Sequence, residues 1–179
     1  AACRERARGA GGTMICVTDG QAEAVDMADR SAVMDKGCIR QMAAAETLYR
    51  EPADHMVAGF VGAGAVLPIG DVSMRGAGRC SVRLGDAAIH ARICQKAASN
   101  MNELGLCLRP EDVWVDEAGT LRGSVEDCVY LGGRFRLQVR VGADQVLPVY
   151  ATKRARIGEA VGLVISDGWV FNRSEGEAA

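Results

Sequence analysis

From about Gly62 onward the chain loses all helical periodicity, and this change of pattern constrains its fold more than any other feature. Short apolar runs take over, separated by turns rich in glycine. The clearest is residues 134–141, where Phe135, Leu137, Val139 and Val141 alternate with Arg134, Arg136, Gln138 and Arg140. Side chains on a strand point alternately to opposite faces, so this spacing predicts a strand with one buried face and one solvated face. Residues 81–84 and 88–93 flank Gly85-Asp86 as a hairpin, and residues 161–165 and 169–171 add further strands. Many short strands with glycine-rich turns predict a small barrel or sandwich.

The first sixty residues read differently. Residues 1–8 favour a helix that stops at Gly9-Ala10-Gly11-Gly12. Thr13-Met14-Ile15-Cys16-Val17 is an apolar run without alternation, as expected of a strand buried on both faces. A helix is expected over 21–30, a second apolar run over 31–34, and a hairpin turn at Asp35-Lys36-Gly37. Two short helices follow, over 44–50 (stopped by Pro52) and 54–60, and residues 62–65 read as a linker. Strand, helix and strand in that order is an α/β pattern. The expectation is two domains, 1–62 and 63–179.

Composition narrows the functional classes. Lys and Arg number 21 against 23 Asp and Glu, a net charge of −2, which gives no electrostatic case for nucleic acid or an anionic membrane. The uncharged stretch 57–70 is broken by glycines and Pro68 and is too short to span a bilayer. No basic segment precedes an apolar run at the start, so no signal peptide is expected. The seven cysteines form no CxxC pair, and His55 and His90 have no ligand partners at metal spacing, so no metal site and a reducing, cytoplasmic setting are expected.

Particular residues carry a stronger signal. The run TMICVTDGQAEAVDMADRSAVMDKGCIRQ, followed by LYREPADHMVAGFVG, resembles the C-terminal end of the nucleotide-binding domain of ABC importer ATPases. GLCLRPEDV, VYLGGRFRLQV and the closing GWVFNR resemble the TOBE domain appended to ATPases that serve sugars, polyamines and inorganic ions. The resemblance implies an α/β remnant of a nucleotide-binding domain followed by an all-β, OB-like TOBE barrel. It implies a homodimer docked on ABC permease subunits at the inner face of the cell membrane, with ATP and Mg bound by the complete protein. Dimerisation and regulation of solute uptake would be this portion's contribution.

Carried over by residue, the segment Val17-Thr18-Asp19-Gly20-Gln21 stands where the family has Val-Thr-His-Asp-Gln. Asp19 therefore occupies the position of the switch histidine that contacts the γ-phosphate. A carboxylate there opposes phosphate chemistry, whereas as a cap for the helix at 21 it is well suited. No GxxxxGK[ST] loop and no LSGGQ-like signature is present, so this chain alone binds no ATP in the family's way and no catalytic residue is assigned. A missing ATPase half is the implied partner. Arg109, Pro110, Glu111 and Asp112 match the family's motif and are the regulatory or dimer candidates. Pro110 fixes a bend after the strand 104–108, and Arg109 is placed either to fork onto a carboxylate or to stand solvated in the turn. The arginines at 134, 136 and 140 read as a solvated face and not a nucleic-acid platform, because Phe135 points the other way. The alternative is a stand-alone TOBE module that binds a regulator or a small oxyanion without ATPase function.

Overall fold

The computed structural model describes residue 9, residues 11–20, residue 24 and residues 28–173. Strands β1 (Ser31–Asp35) and β2 (Cys38–Ala43) form the expected hairpin. Lys36 and Gly37 both take positive φ (48° and 82°), as a two-residue turn between right-twisted strands requires. Two short helices follow, α1 (Ala45–Arg50) and α2 (His55–Val61). Buried Asp54 caps α2 by accepting the Val57 amide at 2.8 Å, and its other oxygen pairs with Arg40 at 3.3 Å.

Eleven strands then make two sheets over one core. Strands β3 (Ala65–Ile69), β4 (Val72–Gly76), β5 (Arg79–Leu84), β6 (Ala87–Ile93), β7 (Leu104–Leu108) and β13 (Trp169–Asn172) form a six-stranded sheet, ordered β3-β7-β13-β6-β5-β4. Helix α3 (Gln95–Ser99) joins β6 to β7. Strands β8 (Val113–Val115), β9 (Leu121–Tyr130), β10 (Phe135–Val141), β11 (Gln145–Ala151) and β12 (Ala160–Ile165) form the second sheet, ordered β11-β10-β9-β12-β8. Its end strands β8 and β11 lie against each other, so this sheet curls into a nearly closed barrel. Gly119 and Gly162 let the β8–β9 connection touch the backbone of β12: a Cβ on Gly162 would collide with the Asp116 carbonyl.

The alternation expected of residues 134–141 is present, with Leu137, Val139 and Val141 buried and Arg136, Gln138 and Arg140 outward. Strand β7 is buried along its whole length because both of its faces are covered. Leu104, Leu106 and Leu108 join the core between the sheets, while Cys107 packs on the opposite face with Phe171 and Ala58 of α2. The helical segment is thus a third layer laid on the outside of the six-stranded sheet.

The N-terminal expectation is corrected. Residues 12–18 form no strand; Ile15 is 89% and Val17 94% exposed. A parallel strand buried on both faces needs a neighbour on each edge, and none of the described residues supplies one. Strand β1 pairs only with β2, antiparallel, so the α/β arrangement is not formed among the described residues. Within the helix expected over 21–30, the Ala24 and Ala28 amides donate to the Gly20 and Ala24 carbonyls at helical spacing; its other residues at 21–23 and 25–27, and the helix expected over 1–8, lie outside the described residues.

Candidate functional site: an arginine clamp between helices and barrel

The four residues singled out after β7 converge on one seam. Arg109 leaves β7 in extended conformation, and Pro110 opens a single 3-10 turn spanning Pro110–Asp112, the bend expected of it. The Arg109 side chain is only 4% exposed. Its Nε and Nη2 donate to the Tyr49 carbonyl (3.0 and 2.8 Å), and Nη1 donates to the carbonyls of Ala58 (3.0 Å) and Gly62 (3.3 Å). The guanidinium also lies 4.2 Å over the Tyr49 ring.

Both expectations for Arg109 are therefore corrected. It forks, but onto backbone carbonyls instead of a carboxylate, and it is not solvated. The carbonyls it takes belong to the ends of α1 and α2, where a helix leaves acceptors unsatisfied and a cation is favoured. A guanidinium suits this task because its donors diverge in one plane and it never loses its charge. Gly62 and Gly64 are not a loose linker either, since a Cβ on Gly64 would come 2.8 Å from both Arg109 Nη1 and the Leu108 carbonyl.

Glu111 and Asp112 fasten the same helix from the other side of the turn. Tyr49 donates its hydroxyl to Glu111 Oε1 (2.6 Å), and Arg50 Nη1 donates to Asp112 Oδ2 (2.8 Å). Burial, reinforced by the Glu111 carboxylate, pushes the Tyr49 phenol well above its ordinary range, so it stays a donor.

A second arginine, which sequence reasoning missed, grips the turn between the helices. Arg92 on β6 donates to Asp167 (2.9 Å), to Glu51 (2.6 Å) and to the Arg50 carbonyl (3.1 Å), and lies 5.1 Å over the Trp169 ring. Trp169 Nε1 donates to the Pro52 carbonyl at 2.9 Å. From the hairpin side, Gln41 donates to the Glu51 carbonyl and accepts the Ala53 amide (3.0 and 2.8 Å). Nothing local to Arg92 or Trp169 signals this role; Trp169 at the C-terminal end reaches a carbonyl 117 positions upstream.

The cavity left inside the seam is about 10 Å³, scarcely enough for one water. The arrangement is a joint and not a ligand pocket. Asp19 is exposed at a bend beside Gly20, whose amide donates to Thr18 Oγ1 (3.0 Å); the amides at 21–23 that Asp19 would cap lie outside the described residues. His55 and His90 are exposed on α2 and β6, and no group of three metal-ligating side chains forms among the described residues.

Residues 106–171 match the TOBE domain family, from within β7 to within β13, including Arg109 and Trp169. The chain carries a TOBE domain.

Beyond that domain, the similarity extends to the C-terminal region of import ATP-binding proteins. The spermidine/putrescine import ATP-binding protein of Clostridium acetobutylicum is 32% identical over 156 residues, 86% of this chain and 42% of the relative. The Fe(3+) ions import ATP-binding protein of Pseudomonas fluorescens is 36% identical over 149 residues, 78% of this chain and 39% of the relative. A sulfate/thiosulfate import ATP-binding protein of Chromobacterium violaceum is 36% identical over 137 residues, 73% of this chain and 35% of the relative. The chain thus spans less than half the length of these relatives. The clamp fastens the TOBE domain to residues 45–62, which precede the matched segment.

Proposed function

We propose that this chain is the C-terminal part of the ATP-binding subunit of an ABC importer, contributing dimerisation and regulation to ATP-driven solute uptake. The observation that carries the reading is the TOBE match, together with relatives that are import ATP-binding proteins for three different solutes. Residues 1–62 are read as the end of the nucleotide-binding domain and 63–179 as the TOBE portion. Two bare apolar surfaces support a covering nucleotide-binding half: Ile15 with Val17, and the outer face of the hairpin with Met34, Ile39 and Met42. ATP and Mg would be held by that half, since this chain has no phosphate loop. Asp19, standing at the switch-histidine position, takes no catalytic part in this reading.

The clamp gives regulation a physical route. An arginine that holds both helix ends against β7 makes residues 45–62 and the barrel move as one body. A shift of the nucleotide-binding half is then delivered to the barrel instead of being absorbed by a flexible linker. The subunit would lie peripherally at the inner face of the membrane; among the described residues no helix is long and apolar enough to cross it. The test is co-purification from detergent-solubilised membranes of the source cells. The tagged protein is expected to carry a permease subunit with several membrane spans; recovery with no such subunit would contradict the reading.

A further inference from the structure

The outer face of the barrel carries guanidinium groups that the clamp does not use. On β10, Arg136 lies directly opposite Tyr150 of β11, so the two side chains share the outward face. Arg134, one outward position away, places its guanidinium 3.6 Å over the Tyr150 ring. Around the rim, Arg154 lies 5.9 Å over Phe135, whose other neighbour is Tyr130 at 5.1 Å between ring centres. The sequence pattern alone put Phe135 on the face opposite the arginines. Cross-strand register supplies the ring it lacked, from a strand that sequence analysis did not identify.

None of Arg134, Arg136 and Arg154 has a carboxylate partner among the described residues, and the buried Nε of Arg136 has no hydrogen-bond acceptor. This differs from Arg140 on the same strand, which is occupied by Glu126 (2.6 Å) and the Ala143 carbonyl (3.1 Å). Asp127 is exposed one rung away, opposite Gln138. Lys153 adds a further exposed cation next to Arg154. In a chain of net charge −2, this is a local concentration of positive charge in which Arg134, Arg136 and Arg154 are paired with no carboxylate among the described residues.

The stacking decides the class of partner. A nucleobase needs an open aromatic face, but Arg134 already covers Tyr150, and Arg154 and Tyr130 flank Phe135. A guanidinium centred 3.6 Å over a ring is instead held in place while its N–H groups stay available to a carboxylate, which a guanidinium receives with two hydrogen bonds. We propose that the Arg134–Tyr150–Arg136 face is a docking surface for an acidic peptide segment of a partner protein, one that offers two or more side-chain carboxylates in extended conformation.

The test measures fluorescence anisotropy of a labelled decaglutamate peptide on the full chain at low and physiological salt. Saturable binding is expected, weakened about tenfold for each guanidinium removed in Arg134→Gln and Arg136→Gln, as loss of a charge-assisted contact requires. Arg75→Gln with Arg83→Gln, two exposed arginines of the six-stranded sheet, is expected to leave binding unchanged. Tyr150→Leu keeps every charge and should weaken binding a few-fold by freeing Arg134. Absence of binding, or equal loss in the Arg75/Arg83 control, would overturn the proposal. So would decathymidylate binding as tightly as the peptide with the same dependence on Arg134 and Arg136, which would assign the face to single-stranded nucleic acid.

Discussion

Arg109→Ala is expected to lower the stability of the folded chain by about 3–5 kcal/mol, among the largest single-residue effects available to it. The substitution leaves the carbonyls of Tyr49, Ala58 and Gly62 without the donor that serves them in a buried seam. Each buried acceptor left unsatisfied costs roughly 1–3 kcal/mol, and water entering the vacated space recovers part of the sum. Stacking on Tyr49 is lost as well. Against a typical total of about 5–15 kcal/mol, this is enough to separate the helical layer from the sheet. Arg109→Lys should recover only a minor part, because an ammonium can neither fork across two helix ends nor stack flat. Denaturant unfolding followed by tryptophan fluorescence reads the change, since Trp169 sits in the same seam. A loss below about 1 kcal/mol would mean that the guanidinium does not hold the joint.

Phe171→Ala should cost a comparable amount, about 3–5 kcal/mol, by a different route. Phe171 is fully buried on the outer face of the six-stranded sheet, packed with Cys107 and with Ala58 of α2. Truncation leaves a cavity beneath α2 that the β-sheet is too rigid to close, whereas Phe171→Leu should cost about 1–1.5 kcal/mol. Arg109 and Phe171 hold the same residue of α2, one through its carbonyl and the other through its methyl group. The two losses are therefore expected to be non-additive: once either has freed α2, the second substitution removes little more. Chemical denaturation of both single variants and the double variant checks this, and strict additivity would mean that the two residues stabilise separate regions.

Much of the barrel is legible in the sequence because its determinants are local. The β1–β2 turn follows from Lys36-Gly37, and β10 from strict alternation. Strands β3, β4, β8, β9 and β11 were not identified from the sequence; of these, β3 and β11 each contain a proline, at 68 and 148, a residue that argues against a central strand. Both prove to be edge strands, where proline is tolerated because no neighbour needs its missing N–H. The run at 13–17 failed in the opposite direction: its composition suits a buried strand, but a strand exists only where another pairs with it. The clamp was half legible. Pro110 signals a bend by itself, but the partners of Arg109 lie 47 to 60 positions upstream, and they are carbonyls, which every residue has. No side-chain pattern announces a bond of that kind.

In the proposed reading this chain is the barrel-bearing part of a longer importer ATP-binding subunit. The most direct test of that reading is the mass of the native product in source cells, by immunoblot against the TOBE region. The chain covers 42% of its Clostridium relative, so a band at more than twice 18.9 kDa is expected. A single band at 18.9 kDa would contradict the claim and leave a stand-alone TOBE module, with the clamp as its internal brace and the acidic-peptide face as its working surface.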